Sequence, residues 1–207
     1  MIRVKICGVN DAAAFDAAAQ ARADWIGFVF FAASPRYVTP AEARALSDRA
    51  AGGPQRVGLF VNPTDTEIAA TLGQVPLDAL QLHATAERAA AIRARFGLPV
   101  WRALGVSRRS ELPRTAEGID GLLIEAKPPP GATRPGGNAI PLDWRLLQGW
   151  KSPCPWLLAG GLRHETVGEA IKISGATAVD VSSGVETQPG IKDPGLIATF
   201  IAEARKP

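Results

Sequence analysis

Eight short apolar runs recur along the 207-residue chain, each rich in aliphatic, β-branched or aromatic residues. They are RVKIC ending at Cys7, DWIGFVF at Phe30, RVGLFV at Val61, ALQLH at His83, VWRAL at Leu104, GLLIEA at Ala126, WLLAG at Gly160 and AVDVSSG at Gly184. Runs of this length and composition, bounded by turn residues, predict strands. Between them lie stretches with helical composition and helical boundary signals. In TPAEARALSDRA, Thr39 is placed to cap, Pro40 stands at the first helical position and Glu42 completes a capping box. Thr85 opens TAERAAAIRARFG, which Gly97 stops; a helix from Glu165 to Ser174 ends at Gly175; Asp193-Pro194 starts a closing helix to Lys206.

Eight strands alternating with eight helical stretches is the α/β pattern of a single-domain (β/α)8 TIM barrel, a parallel eight-stranded closed sheet spanning residues 1–207. The rival is an open doubly wound sheet. Against it stand the absence of a glycine-rich dinucleotide loop after the first strand and a final strand and helix that complete the eightfold count. The insertion KPPPGATRPGGNAIP at residues 127–141 falls after the sixth strand, where it reads as an active-site loop rather than a linker.

Strand alternation sends every second side chain into a barrel, where bulky apolar residues dominate except near the catalytic, C-terminal end. Polar inward residues are therefore informative. Lys5 and Cys7 point inward from strand one, Gln81 and His83 from strand four, Leu123 and Glu125 from strand six, and Asp180 and Ser182 from strand eight. Structural roles compete with functional ones. Lys5 and Asp180 lie on strands that become neighbours on closure, so a buried ion pair is as natural as a direct role. Gln81 and His83 serve equally well as hydrogen-bonded core residues, and a free cysteine is commonly a small buried hydrophobe. The position of Cys7 argues otherwise, since it ends a strand beside the glycine-opened loop at Gly8.

Composition narrows the setting. With 46% hydrophobic and 21% charged residues the chain is globular in character. It has no stretch approaching the ~18 apolar residues of a membrane span and no apolar leader, so a cytoplasmic, membrane-free protein is expected. Cys7 and Cys154 are expected as free thiols at opposite ends of the barrel, too far apart to bond. The net charge of +3 comes from scattered Arg and Lys, which argues against nucleic acid and suits a small anionic ligand. Two turns supply a place for one: Gly160-Gly161 after strand seven, and Ser182, Ser183 and Gly184 after strand eight. Adjacent loops there commonly hold phosphate through backbone N–H groups and hydroxyls, although both could be tight turns only. With two histidines, and His164 beyond the glycine loop, a metal site has little basis.

KICG, GFVFFAASPRYV, GLFVN, LQLH, the GGN and LDW of the sixth loop, LAGGL, and VDVSSGVE followed by GIKD together resemble the phosphoribosylanthranilate isomerases of tryptophan biosynthesis. The likeness runs from residue 3 to about residue 200. It implies a cofactor-free Amadori rearrangement of an N-ribosyl anthranilate 5-phosphate, a phosphosugar. By the same resemblance Cys7 is the general base that takes the C2′ proton, and the carboxylate at Glu125 is the general acid at the ring oxygen. Arg36 lies near the anthranilate carboxylate, and Gly160, Gly161, Ser182, Ser183 and Gly184 form the phosphate site. Gln81, His83 and Asp180 complete the candidate binding set. A thiol is a poor base at neutral pH, so Cys7 is expected to have a lowered pKa, with Lys5 as one cause; the acid needs the opposite shift.

The chain departs from the family pattern at Glu125, where aspartate is usual, at Ala84 and Ala139, where glycine is usual, and at Leu142, where phenylalanine is usual. Two alternatives follow. One is a phosphosugar-binding paralogue whose catalysis has decayed, which an activity assay separates from an enzyme. The other is the sister barrel isomerase of histidine biosynthesis, whose paired half-barrels and strand-one aspartate are not seen beside Cys7. A monomer is expected, because the helices of a complete barrel cover its outer face.

Overall fold

The computed structural model describes residues 1–207 apart from residue 130, residues 132–135, residues 137–139 and residue 207. The expected strands form β1 (Arg3–Cys7), β2 (Trp25–Val29), β3 (Gln55–Val61), β4 (Ala79–His83), β5 (Val100–Val106), β6 (Gly121–Ala126), β7 (Trp156–Leu158) and β8 (Ala178–Val181). All pair in parallel, and β1 bonds both β2 and β8, so the sheet closes in chain order. The runs read through Gly160 and Gly184 end earlier as strands. Gly160 and Gly161 take φ of 87° and 66°, a left-handed backbone that leaves the ladder, and Ser183–Val185 folds into a 3₁₀ turn.

Helices number six among the described residues, not eight: α1 (Ala12–Gln20), α2 (Pro40–Ser47), α3 (Asp65–Leu72), α4 (Ala86–Phe96), α5 (Val167–Ser174) and α6 (Pro194–Ala204). After β5 and β6 the described chain makes only 3₁₀ turns, at Arg109–Glu111 and Trp144–Leu147. Pro113 cuts the first stretch short, and the sequence between β6 and the second turn is rich in Pro and Gly, both poor helix formers. The boundary signals that were read act as expected. Thr39 and Glu42 form a reciprocal capping box, Asp193 caps α6, and Gly97 and Gly175 end α4 and α5 at φ of 69° and 73°.

Between β8 and α6 lies an element the sequence reading did not anticipate. It is an antiparallel hairpin of β9 (Glu186–Gln188) and β10 (Ile191–Lys192), turned by Pro189-Gly190 with Gly190 at φ 86°.

The two faces of each strand part as alternation requires. Val4, Ile6, Ile26, Phe28, Leu80, Leu82, Leu122, Ile124, Val179 and Val181 join the layer between sheet and helices. Inside, Trp25, Val57, Ala79, Leu157 and Ala178 with Trp101 fill the N-terminal end, the two indoles meeting edge to face at 5.2 Å. Towards the C-terminal mouth the interior side chains become smaller and polar, and a cavity opens.

Candidate active site

One cavity of about 860 Å³, counting its open mouth, occupies the C-terminal end of the barrel. Its wall includes Cys7, Arg36, Gln81, His83, Glu125 and Asp180, and also Gly160, Gly161, Ser182, Ser183 and Gly184, so every candidate site residue lines it. Alternation on a closed parallel sheet is what gathers side chains from six loops and strands in one place.

Cys7 ends β1 beside two glycines with separate duties. Gly27 faces it from β2, where a Cβ would come 3.0 Å from Lys5 Nζ and 3.1 Å from Cys7 Sγ, so that glycine makes room for both groups. Gly8, at φ 73°, leaves space for a different residue: its Cβ would lie 2.6 Å from Cδ of Arg36. The glycine behind the cysteine thus lets the arginine stem pack against the β1 loop.

Lys5 is fully buried and donates to Asp180 Oδ1 at 2.7 Å, across the register pair that joins β1 to β8. The expected buried ion pair is present, and Asp180 also lines the cavity. Burial opposes the lysine charge, but Asp180 and the nearby Cys7 outweigh it and keep the pKa of Lys5 above its ordinary value. Cys7 departs from expectation. Burial pushes its thiol up, Lys5 pulls it down as anticipated, and Asp180 pushes it up again, so the net shift is upward. Burial is the largest of these effects, and the Asp180 charge offsets part of what Lys5 supplies.

Across the mouth, Glu125 is buried on β6, with Oε1 3.9 Å from Nδ1 of His83. Burial, helped by the charge of Lys5, lowers the pKa of His83 from 6.5 to about 4, so the imidazole is neutral at physiological pH. Gly136 of the sixth loop comes close to both side chains: a Cβ there would stand 2.6 Å from Glu125 Oε1 and 2.8 Å from His83 Cε1. The loop therefore does reach the mouth. Gly137 and Asn138 of its GGN motif, and the departure at Ala139, lie outside the described residues. Leu142 is buried in the layer outside the barrel, and Ala84 packs against that layer.

Arg36 is buried and held by Glu186, Nε to Oε1 at 2.7 Å and Nη2 to Oε2 at 2.8 Å. Lys192 donates to the same carboxylate at 3.1 Å and to the Ser182 carbonyl at 3.2 Å. Burial alone would raise the Glu186 carboxyl, but Arg36 and Lys192 hold it below the ordinary carboxylate range. Neither Glu186 nor Lys192 is marked as a site residue by strand alternation or by its neighbours in the sequence. The Pro189-Gly190 turn signal between them, read as a hairpin, would have brought them together.

The two glycine-bearing turns pack on each other. A Cβ on Gly184 would collide with the Leu162 carbonyl oxygen, and one on Gly161 would lie 2.8 Å from the backbone of Pro141. Ser182 Oγ and Gln81 Oε1 are buried without a hydrogen-bond partner among the described residues. Such atoms are costly in a folded protein, and a polar ligand in this cavity is placed to satisfy them.

These features define a class: a (β/α)8 barrel whose mouth gathers a thiol, a carboxyl, a buried cationic cluster and two glycine-lined turns around one ligand-sized cavity. The family model for N-(5′-phosphoribosyl)anthranilate (PRA) isomerase matches residues 4–203, and the chain belongs to that family. It is 53% identical over 204 residues to the N-(5′-phosphoribosyl)anthranilate isomerase of Acidiphilium cryptum, covering 99% of this chain and 98% of that protein. The Paracoccus denitrificans protein of the same name is 51% identical over 211 residues, covering 100% and 98%. Among solved structures, phosphoribosyl anthranilate isomerase from Thermotoga maritima superposes with a TM-score of 0.87 at 35% identity, covering 99% of each chain. Mutually generated monomers of the dimeric Thermotoga maritima protein give 0.83 at 35%, again over 99% of each chain. A family structure in complex with reduced 1-(o-carboxyphenylamino)-1-deoxyribulose 5-phosphate gives 0.84 at 34%, also over 99% of each chain.

Proposed function

We propose that the cavity carries out the Amadori rearrangement of N-(5′-phosphoribosyl)anthranilate to 1-(2-carboxyphenylamino)-1-deoxyribulose 5-phosphate, an isomerase step of tryptophan biosynthesis. The observation that carries this reading is that Cys7, Glu125 and both glycine-bearing turns line one cavity in a chain of this family. In the reaction Glu125 gives a proton to the furanose ring oxygen as the C1′–O bond breaks, and the nitrogen lone pair forms an iminium at C1′. Cys7, as thiolate, then takes the C2′ proton. The released electron pair forms the C1′–C2′ double bond and quenches the iminium, and the resulting enol-amine tautomerises to the ketose. Base and acid act in sequence on opposite sides of the same sugar.

The turns at Gly160-Gly161 and Ser182 to Gly184 take the phosphate, with Gln81, His83 and Asp180 around the ribose. Arg36 meets the anthranilate carboxylate. The test is direct: form the substrate in place from anthranilate and phosphoribosyl pyrophosphate, add the protein, and follow the loss of substrate fluorescence. Catalysed loss is expected, and a rate equal to the uncatalysed one would leave a phosphosugar-binding protein without this activity.

We also read the chain as a cytoplasmic monomer. Both cysteines are free, which suits a reducing compartment, and no helix among the described residues is long and apolar enough to cross a membrane. Exposed large hydrophobic residues among those described are Met1, Tyr37 and Ile191 only, too few for an extensive apolar interface. Light scattering at the 21.7 kDa mass is expected, and twice that mass would overturn the monomer.

A further inference from the structure

The Glu186 carboxylate stands behind the cavity wall and gathers four donors. They are Nε and Nη2 of Arg36 at 2.7 and 2.8 Å, Nζ of Lys192 at 3.1 Å and the Gly190 backbone N–H at 3.3 Å. The side chains of Arg36, Glu186 and Lys192 are 6%, 4% and 0% exposed, so solvent screens their charges little. The hairpin of β9 and β10 is no part of the barrel sheet, yet it lies against the loop that carries Arg36. A Cβ on Gly190 would strike the Pro35 carbonyl oxygen, and Asn10 of the β1 loop donates to the Gly190 carbonyl at 3.0 Å.

We infer that Glu186 is a positioning residue, which grips the Nε–Nη2 edge of Arg36 so that the remaining guanidinium donors are fixed towards the substrate carboxylate. This rests on the reading of Arg36 as the group that meets that carboxylate. A guanidinium has five N–H donors in a rigid fork, and a bidentate grip on one edge determines where the others point. An arginine side chain free to rotate would surrender that freedom on binding; one locked by the fold has already done so. Lys192 joins Glu186 to the Ser182 carbonyl, so the same device ties the carboxylate end of the site to the turn at its phosphate end.

Positioning and charge make opposite predictions. Glu186→Gln removes a negative charge near an anion site, so by charge alone an anionic ligand would bind more tightly. If Glu186 positions Arg36, the same substitution breaks the bidentate grip and weakens binding. Calorimetry would compare reduced 1-(o-carboxyphenylamino)-1-deoxyribulose 5-phosphate with its phenylamino counterpart lacking the carboxyl group. For Glu186→Gln we expect a loss of roughly 10- to 100-fold for the first probe, the worth of a charged hydrogen bond, and almost none for the second. Glu186→Asp keeps the buried charge balanced, which protects the fold if the glutamine variant does not fold, but it is too short for both contacts and should show an intermediate loss confined to the carboxylated probe. Equal losses for both probes, or tighter binding by either variant, would overturn the inference. Arg36→Met separates the two layers of the argument. If it fails to discriminate between the probes, the Arg36 reading falls; if it discriminates while both Glu186 variants do not, only the positioning role falls.

Discussion

Cys7→Ser is expected to keep the barrel and the affinity for a product analogue while turnover falls by roughly 100- to 10,000-fold, the usual worth of a general base. Serine fits the space, since Gly27 opposite leaves Cys7 and Lys5 side by side without crowding. A hydroxyl, however, is far too weak an acid to supply an oxyanion at neutral pH. The native thiol is itself handicapped in the free protein, because burial and Asp180 together outweigh Lys5 and hold its pKa above the ordinary cysteine value. A sign follows. As the pH is raised above 7 the thiolate fraction should increase, and kcat/KM of the native protein with it, since that parameter reports the free enzyme. The serine variant should stay far slower than the native protein throughout this range. Iodoacetamide should inactivate the native protein, faster at higher pH and slower with product analogue bound. Near-normal turnover by Cys7→Ser would remove Cys7 from the base role.

The parts of this site legible in the sequence are those that strand periodicity controls. Cys7, Gln81, His83, Glu125, Asp180 and Ser182 were placed in the mouth by alternation alone, and the cavity contains all six. The capping box at Thr39 and Glu42 was legible for a related reason, since its partners are three residues apart. What was missed depends on contacts distant in the chain. Glu186 finds Arg36 across 150 residues, and nothing local to either marks the other as its partner. The hairpin that carries Glu186 has strands of three and two residues, below the length at which alternation signals a strand. The direction of the Cys7 shift is not legible locally because burial of the thiol, which only the closed barrel creates, is its largest cause, and the Asp180 charge from β8 adds to it against Lys5. Among the described residues no α-helix follows β5 or β6, and the local signs of this, Pro113 and the Pro- and Gly-rich run after β6, compete with an eightfold count of strands.

Glu125→Gln should abolish most turnover while leaving product-analogue affinity little changed, because an amide of the same shape can accept hydrogen bonds but has no proton to give the ring oxygen. The more informative variant is Glu125→Asp. The family resemblance implies an aspartate at this position, so two histories are open: a chain that has drifted from an efficient ancestor, or a mouth rebuilt around the longer side chain. The surroundings of Glu125 favour the second. Gly136 comes so near that a Cβ would lie 2.6 Å from Oε1, and His83 Nδ1 stands 3.9 Å from the same oxygen. Gly160 approaches from the turn after β7, where a Cβ would be 3.4 Å from Glu125 Cα and Cβ. Three neighbours therefore shape the space of this side chain along its length, and shortening it withdraws the carboxyl by about 1 Å. A misplacement of that size can cost on the order of 100-fold in rate, so Glu125→Asp is expected to be slower by about that factor, with the loss in kcat more than in KM. An aspartate variant as fast as the native protein would show instead that the mouth still fits the shorter acid, and a fully active glutamine variant would take Glu125 out of the acid role altogether.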